Sequence, residues 1–386
     1  MTYLLRLIFR NLFRHPLRSL LTAVGIVVAI TAFGLLRTTV DAWYAGVEAS
    51  SSSRLVTRNK NSLVFPLPLH YLNKIRQLDG VSKVSYAEWF GGIYIDKKNF
   101  FPQFAVDGRT YFELYPEFVV PPEELKSFLL DRRGVIVGRK TAAQYGWKIG
   151  DLIPLQGTIY PGTWDFVIEG IYRGIDSKTD ETQFFFHWEY LNEITKKTNP
   201  DNADKIGIFL VGLKHAQDAP LIAQRIDALF ANSLAETLTE TEKAFQLGFV
   251  AMTEAILLVI QAVSFLIILI IMAVMANTMA MAARERRAEY AILKAMGFTA
   301  RFIVGLILGE SLLLSLSAGA AGIVLIFPTA RDVGARFGTL FPIFNVSTQT
   351  LWMAAGAALL VGVVAGVVPA WRAVRTPVAE GMRGMV

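Results

Sequence analysis

Four long apolar stretches dominate the pattern of hydrophobic and polar positions. Ser19–Leu36 has no charge and lies between Arg18 and Arg37. Ala255–Ala283 is charge-free, and Phe302–Ala330 carries one ionisable residue, Glu310. Phe337–Trp371 is charge-free and most apolar over Leu351–Val368. About 20 consecutive apolar residues cross a bilayer as a helix, so the pattern predicts four transmembrane helices. The first is preceded by 18 residues and followed by no small-residue cleavage site. It reads as an uncleaved anchor rather than a signal peptide.

The flanks of these stretches are also periodic. Arg6, Arg10, Arg14 and Arg18 recur every four residues, with Leu4, Leu5, Ile8, Phe9 and Leu12 on the other faces. This predicts an amphipathic cationic helix over residues 1–17, suited to lying in a headgroup layer and broken by Pro16. Leu238, Phe245, Phe249, Met252 and Ile256 are spaced 7, 4, 3 and 4, the a/d spacing of a helical seam. Val40, Trp43 and Val47 continue the first span at spacings of 3 and 4. Together they predict a two-helix stalk: residues 18–54 as span one plus stalk, and 236–283 as stalk plus span two.

Between the stalk segments the period changes. Val81–Glu88, Gly92–Asp96, Gln103–Asp107, Val135–Val137, Leu152–Leu155, Asp165–Tyr172, Phe184–His187 and Ile206–Leu213 read as strands on alternation and β-branched content. Leu69, Leu72, Ile75 and Leu78 mark a helix; Arg139–Tyr145 and a segment opened by Pro220 read likewise. The predicted fold class is a four-helix membrane protein with a large α+β domain at 55–235, inserted between helices one and two. The prolines of Gly108–Pro122 suggest two subdomains, with an insertion at about 110–205. Ser50–Ser53 reads as a linker. The remaining segments are 284–301, 302–330 (span three), 346–371 (span four) and 372–386.

Composition fits this layout. Of 386 residues, 53% are hydrophobic and 18% charged, against about 25% charged in soluble chains. Residues 41–254 hold 23 Lys+Arg and 27 Asp+Glu, while the remainder holds 15 and 5. The inserted domain is thus mildly acidic, which excludes a nucleic-acid partner that needs a basic domain face. Arg6, Arg10, Arg14, Arg18, Arg284, Arg286, Arg287, Lys294, Arg301, Arg372, Arg375 and Arg383 gather on one side of the predicted spans. The short loop after span three offers only Arg331 and Arg336. The positive-inside rule places both termini in the cytoplasm and residues 38–254 outside.

Little catalytic chemistry is available. There is no cysteine, the pattern Gly-x-Ser-x-Gly does not occur, and His15, His70, His187 and His215 are scattered. His187, beside Phe186 and Trp188, reads as packed rather than metal-ligating. The dipeptide Gly-Lys never appears, so no phosphate loop exists. No catalytic residue, metal or cofactor is predicted in this chain, and any nucleotide energy must come from another polypeptide.

The informative polar stretch follows span two: Arg284, Glu285, Arg286, Arg287 and Glu289, then Ile292, Leu293, Lys294, Met296 and Gly297. Lys294 and Gly297 fit a helix C-terminus. The apolar ridge of Ile292, Leu293 and Met296 fits a docking helix. Glu310 lies inside span three, where an acid is a functional candidate; a packing contact to Asn277 or Ser311 is the plainer expectation. Gly305/Gly309 and Gly362/Gly366 permit close helix approach.

The stretch resembles the coupling-helix signature of the MacB/FtsX/LolC superfamily of ABC transporter permeases, E-R-x-x-E-x-x-x-L-x-A-x-G, matched by Glu285, Arg286, Glu289, Leu293, Ala295 and Gly297. Arg10-Asn11, Arg18-Ser19, Leu21-Thr22 and Gly25-Ile26 are similar to that family's first helix, and Pro369-Ala370-Trp371-Arg372-Ala373 with Pro377-Val378 to its last. Val135–Asp151 and Phe166–Gly170 look like its extracytoplasmic domain. The resemblance implies a permease dimer with two ATPase subunits in a bacterial inner membrane, acting on its surroundings by mechanotransmission. Three readings stay open. One is a MacB-like exporter with a periplasmic adaptor and outer-membrane channel. The others are a LolC-like extractor of lipoprotein or lipid, and an FtsX-like regulator of a cell-wall hydrolase.

Overall fold

The computed structural model describes residues 2–12, 14–336, 341 and 343–375; Pro377-Val378, Arg383 and the rest of the 376–386 tail lie outside them. In chain order the elements are α1 (Thr2–Leu12), α2 (Pro16–Ala49), β1 (Arg54–Asn59), β2 (Leu67–Pro68), α3 (Tyr71–Arg76), β3 (Val81–Trp89), β4 (Gly92–Ile93) and β5 (Gln103–Val106). There follow α4 (Tyr111–Leu114), β6 (Phe118–Val119), α5 (Pro122–Leu130), β7 (Gly134–Gly138), α6 (Arg139–Tyr145), β8 (Leu152–Gly157), β9 (Gly162–Gly174), β10 (Phe184–His187) and α7 (Trp188–Thr198). The chain continues with β11 (Lys205–Ile206), β12 (Ile208–Leu213), α8 (Ala219–Leu229), β13 (Thr237–Thr241), α9 (Glu242–Ala251), α10 (Glu254–Glu285), α11 (Arg287–Ala295), α12 (Ala300–Arg336) and α13 (Thr348–Arg375).

These form two compact units, one from the described residues of 1–42, 254–336 and 344–386, the other from those of 43–253 and 337–343. In the first, α2, α10, α12 and α13 are each long and apolar enough to cross a membrane. The α+β domain lies between the first and second of them, as the sequence predicts. Small residues let the helices approach: Ala358 meets Gly319, Gly362 faces Ser315 and Leu312, and Gly322 faces Ile30. Hydroxyls supply hydrogen bonds between helices. Ser311 Oγ donates to the Gly362 carbonyl (2.8 Å) and Thr31 Oγ1 to that of Gly322 (3.1 Å).

In the second unit one mixed sheet runs in the order β13-β1-β12-β3-β5-β10-β7-β9-β8-β4, with β6 added on β9. The central strand β10, Phe184-Phe185-Phe186-His187, is buried on both faces, so it reads as a continuous apolar run. It pairs in parallel with β5 and antiparallel with β7. That join corrects the expected division at 110–205. The strands of the segment continue the sheet, and one aromatic core contains Phe90, Phe166, Phe184, Phe186 and Phe209 alike.

The seam from Leu238 to Ile256 is also corrected. Leu238 lies in β13, where Thr237, Thr239 and Thr241 pair with β1. Both Thr237 and Thr239 hydroxyls donate to Asp227 Oδ1 (2.8 Å). β-branched residues favour such a strand. The helix starts only after Thr241, whose hydroxyl caps α9 by accepting from Ala244 N (3.2 Å). Met252 and Thr253 then separate α9 from α10.

Candidate functional site

The signature residues gather at one end of the membrane unit. The segment expected as one helix over 284–301 is divided: α10 runs on to Glu285, Arg286 is the break, and α11 is nine residues long. Gly297 N donates to the Lys294 carbonyl (3.0 Å) and Phe298 N to that of Leu293 (3.1 Å). This pair of hydrogen bonds is the Schellman closure of a helix. It requires Gly297 at φ +89°, a left-handed conformation that only glycine adopts without strain.

The charged residues of the signature hold α11 in place. Arg286 is 5% exposed and Glu310 6%. The guanidinium forks onto the carboxylate at 2.7 and 3.2 Å and also donates to the Asn11 carbonyl (3.0 Å). Glu285 takes both terminal nitrogens of Arg18, at 2.8 and 2.7 Å, and Glu289 pairs with Arg14. Lys294 Nζ donates to the carbonyls of Ala373 (2.9 Å) and Val374 (2.8 Å), a cation on the open end of a helix. So α11 is fastened to the N-terminal segment, to α12 and to α13. A cavity of about 20 Å³ beside the buried pair, lined by Asn11, His15, Arg18, Thr278, Arg286 and Glu310 among others, has room for about one water. Tyr290 is on the buried face of α11, and burial pushes its phenol up to about 12.

Two expectations change. Glu310 contacts neither Asn277, which lies on an exposed side of α10, nor Ser311, whose hydroxyl is spent on the Gly362 and Leu308 carbonyls. A carboxylate that deep needs a cation, and Arg286 supplies it. Arg286 therefore faces inward, not toward a partner, and Leu293 is half-buried against the membrane core. The outward face holds Ile292 (40% exposed), Met296 (62%) and Phe298 (37%), with Arg284, Arg287 and Arg301 exposed around them. Phe298 went unnoticed in the sequence because it lies past the helix stop. Arg6 and Arg10 are exposed on α1. At the other end of the same unit Asp41 binds Ser347 Oγ (2.6 Å) and Thr350 Oγ1 (2.8 Å). Asp41 was unremarkable in the sequence, because its partners lie some 300 residues away.

Residues 262–378 match the FtsX-like permease C-terminal family. Over 411 aligned positions the chain is 25% identical to an uncharacterized ABC transporter permease of Methanocaldococcus jannaschii, covering 97% of this chain and 96% of that one. Residues 262–378 thus look like an FtsX-like permease C-terminal domain, and nearly the whole chain is similar to an ABC transporter permease. An uncharacterized ABC transporter permease protein of Mycobacterium tuberculosis is 26% identical over 273 positions, 67% of this chain and 29% of its own. Among solved structures, the periplasmic region of MacB from Actinobacillus actinomycetemcomitans matches with a TM-score of 0.38 and 8% identity, over 53% of this chain and 95% of that one. The extracellular domain of the noncanonic ABC-type transporter YknZ from Gram-positive bacteria matches with 0.36 and 11%, over 49% and 100%. A permease of this kind works with a cytoplasmic ATPase. Ile292, Met296 and Phe298 are exposed together on α11 and just beyond it.

Proposed function

We propose that this permease is the membrane subunit of a MacB-like export system. Two copies form a homodimer in a bacterial cytoplasmic membrane, with the termini and α11 in the cytoplasm and the inserted domain outside. Two separate ATPase subunits bind ATP and Mg and dock on α11. Their closure moves α11, and the α+β domain acts on a substrate, with a periplasmic adaptor and outer-membrane channel as further partners. The observation that carries this reading is the exposed group of Ile292, Met296 and Phe298 on a helix held by Arg14, Arg18, Glu310 and the end of α13. Interface energy concentrates in a few apolar anchors, and a helix so fastened passes a push to the spans. The size of the inserted domain, which fills most of residues 43–253, favours export over the FtsX-like regulator.

The experiment is purification of the tagged permease in detergent with identification of co-eluting proteins, together with a topology reporter fused after Thr198. Co-elution of an ABC ATPase and an adaptor, with the reporter active only outside, is expected. A cell-wall hydrolase in place of the adaptor, or a reporter active in the cytoplasm, would sink the reading.

A further inference from the structure

The inserted domain contains a buried arginine that neither the family resemblance nor the coupling site accounts for. Arg54 opens β1, five residues after the end of α2, and is 6% exposed. Its Nε donates to Glu242 Oε2 (2.8 Å), its Nη1 to Glu117 Oε2 (3.1 Å) and the Leu114 carbonyl (3.2 Å), and its Nη2 to Glu117 Oε1. The guanidinium carbon lies 4.1 Å from the centre of the Tyr115 ring. Glu242 Oε2 also accepts from Ser51 N (2.9 Å). Burial works against the charge, but the hydrogen bond to Glu117 and the field of Glu242 outweigh it and hold Arg54 above its ordinary pKa.

The three segments joined here differ in their place along the chain. Ser51 follows the helix that leaves the first span. Glu242 is the first residue of α9, which leads back to the second span. Glu117 lies between α4 and β6, far from both in sequence. One guanidinium thus holds the chain's way in and way out of the domain together, and fixes both to the segment between α4 and β6. Stability is a poor reason for such an arrangement, since well-packed apolar residues replace buried ion groups at little or no cost. What a planar fork with fixed donors supplies is geometry.

We propose that Arg54 is a positioning residue that makes α9, the C-terminal turns of α2 and the Glu117 segment move as one body. Displacement of the spans then reaches the domain without slack. This rests on the mechanotransmission reading above. Arg54→Lys keeps the charge but loses the fork. Glu117→Gln keeps Arg54 with Glu242 but weakens the link to the segment between α4 and β6, and serves if the first variant fails to fold.

The chain has no cysteine, so Leu130→Cys and Gln349→Cys, both at exposed positions, take spin labels specifically. Distances are read on the permease–ATPase complex in nanodiscs, without nucleotide and with ATP plus vanadate. In the parent the distance shifts with nucleotide. In each Arg54 or Glu117 variant the shift falls at least twofold, while ATPase retention stays within twofold of the parent. A purely structural role would lower the melting temperature yet leave the shift of the folded complex intact, and so would overturn the proposal. A full shift in both variants does the same and leaves mechanotransmission standing. No shift in the parent overturns mechanotransmission, and the role of Arg54 with it.

Discussion

The two units are packed by opposite means. In the membrane unit the contact between α12 and α13 is made by glycine, alanine and serine: Gly319 on Ala358, Gly362 on Ser315, Gly366 on Ser311. In the inserted domain it is made by rings. Phe186 alone lies 5.2 Å from Phe90, 4.8 Å from Phe166 and 6.4 Å from Phe184, centre to centre. The solvent explains the difference. In water, burying apolar area gains about 25 cal/mol per Å², and large rings bury most. Lipid is as apolar as leucine, so that gain vanishes, and close backbone approach with hydrogen bonds between helices replaces it. It follows that a buried polar group is a stronger fastening in the membrane unit than its small number of contacts implies.

The largest expected effect tests that point. Arg286→Ala leaves Glu310 buried without its cation, at a cost of about 3–5 kcal/mol. The thermal midpoint in detergent should fall sharply, and the double variant Arg286→Met/Glu310→Met should recover most of the loss. Equal melting of single and double variants would show that the pair is not buried. Next comes the packing contrast itself. Phe186→Ala should cost about 3–5 kcal/mol. Gly362→Ala puts a methyl onto Ser315 Oγ and 3.2 Å from Leu312 Cα, an overpacking cost of about 1–3 kcal/mol. Proteolysis should then attack the inserted domain in the first variant and the helices in the second. The reverse pattern would break the comparison.

A smaller effect is confined to the inserted domain. Glu88 Oε2 is buried without a hydrogen-bond partner, and burial pushes its carboxyl up to about 7. The folded state therefore holds the proton more tightly than the unfolded chain, whose glutamate titrates near 4.3. The carboxyl costs nothing below about pH 4.3. Its cost grows as pH rises through the interval and is complete above about 7, reaching at most ~4 kcal/mol. The melting temperature of the full chain should fall between pH 5 and pH 8, and Glu88→Gln should flatten that slope. An unchanged slope would mean that Glu88 is solvated.

Legibility divides along the same line. Apolar length sufficed for α2, α10, α12 and α13, and alternation with β-branched content found β3, β9, β10 and β12 to within three residues at either end. What was lost depended on distant partners. β1 and β13 pair with each other although far apart in the chain, and the threonines of β13 sit within a spacing that also fits a helix, so spacing alone puts Leu238 in a seam. At the site, the signature residues do gather at one end of the membrane unit, but their facing was not legible. Spacing puts Arg286 and Leu293 on a charged helix with a ridge. Only the fold shows that Glu310 draws the first inward and that the membrane core takes half of the second.

That facing gives the smallest and most discriminating expectation. If α11 docks on an ATPase, its energy comes from side chains that are exposed in the permease alone and lose water on binding. Ile292 and Met296 meet that condition; Leu293 does not. Ile292→Ala or Met296→Ala should weaken ATPase retention by about 1–2 kcal/mol, or roughly five- to thirty-fold in affinity, without moving the melting temperature. Leu293→Ala should do the opposite, lowering the melting temperature through lost packing and affinity only as far as the helix loosens. Arg287→Ala removes a charge at the rim, so its effect should appear in the association rate and its salt dependence. Affinity by surface plasmon resonance and melting by scanning fluorimetry, on the same four variants, separate the two roles. If Leu293→Ala loses affinity at an unchanged melting temperature while Ile292→Ala loses none, the partner meets the inner face of α11, and the helix must turn to bind.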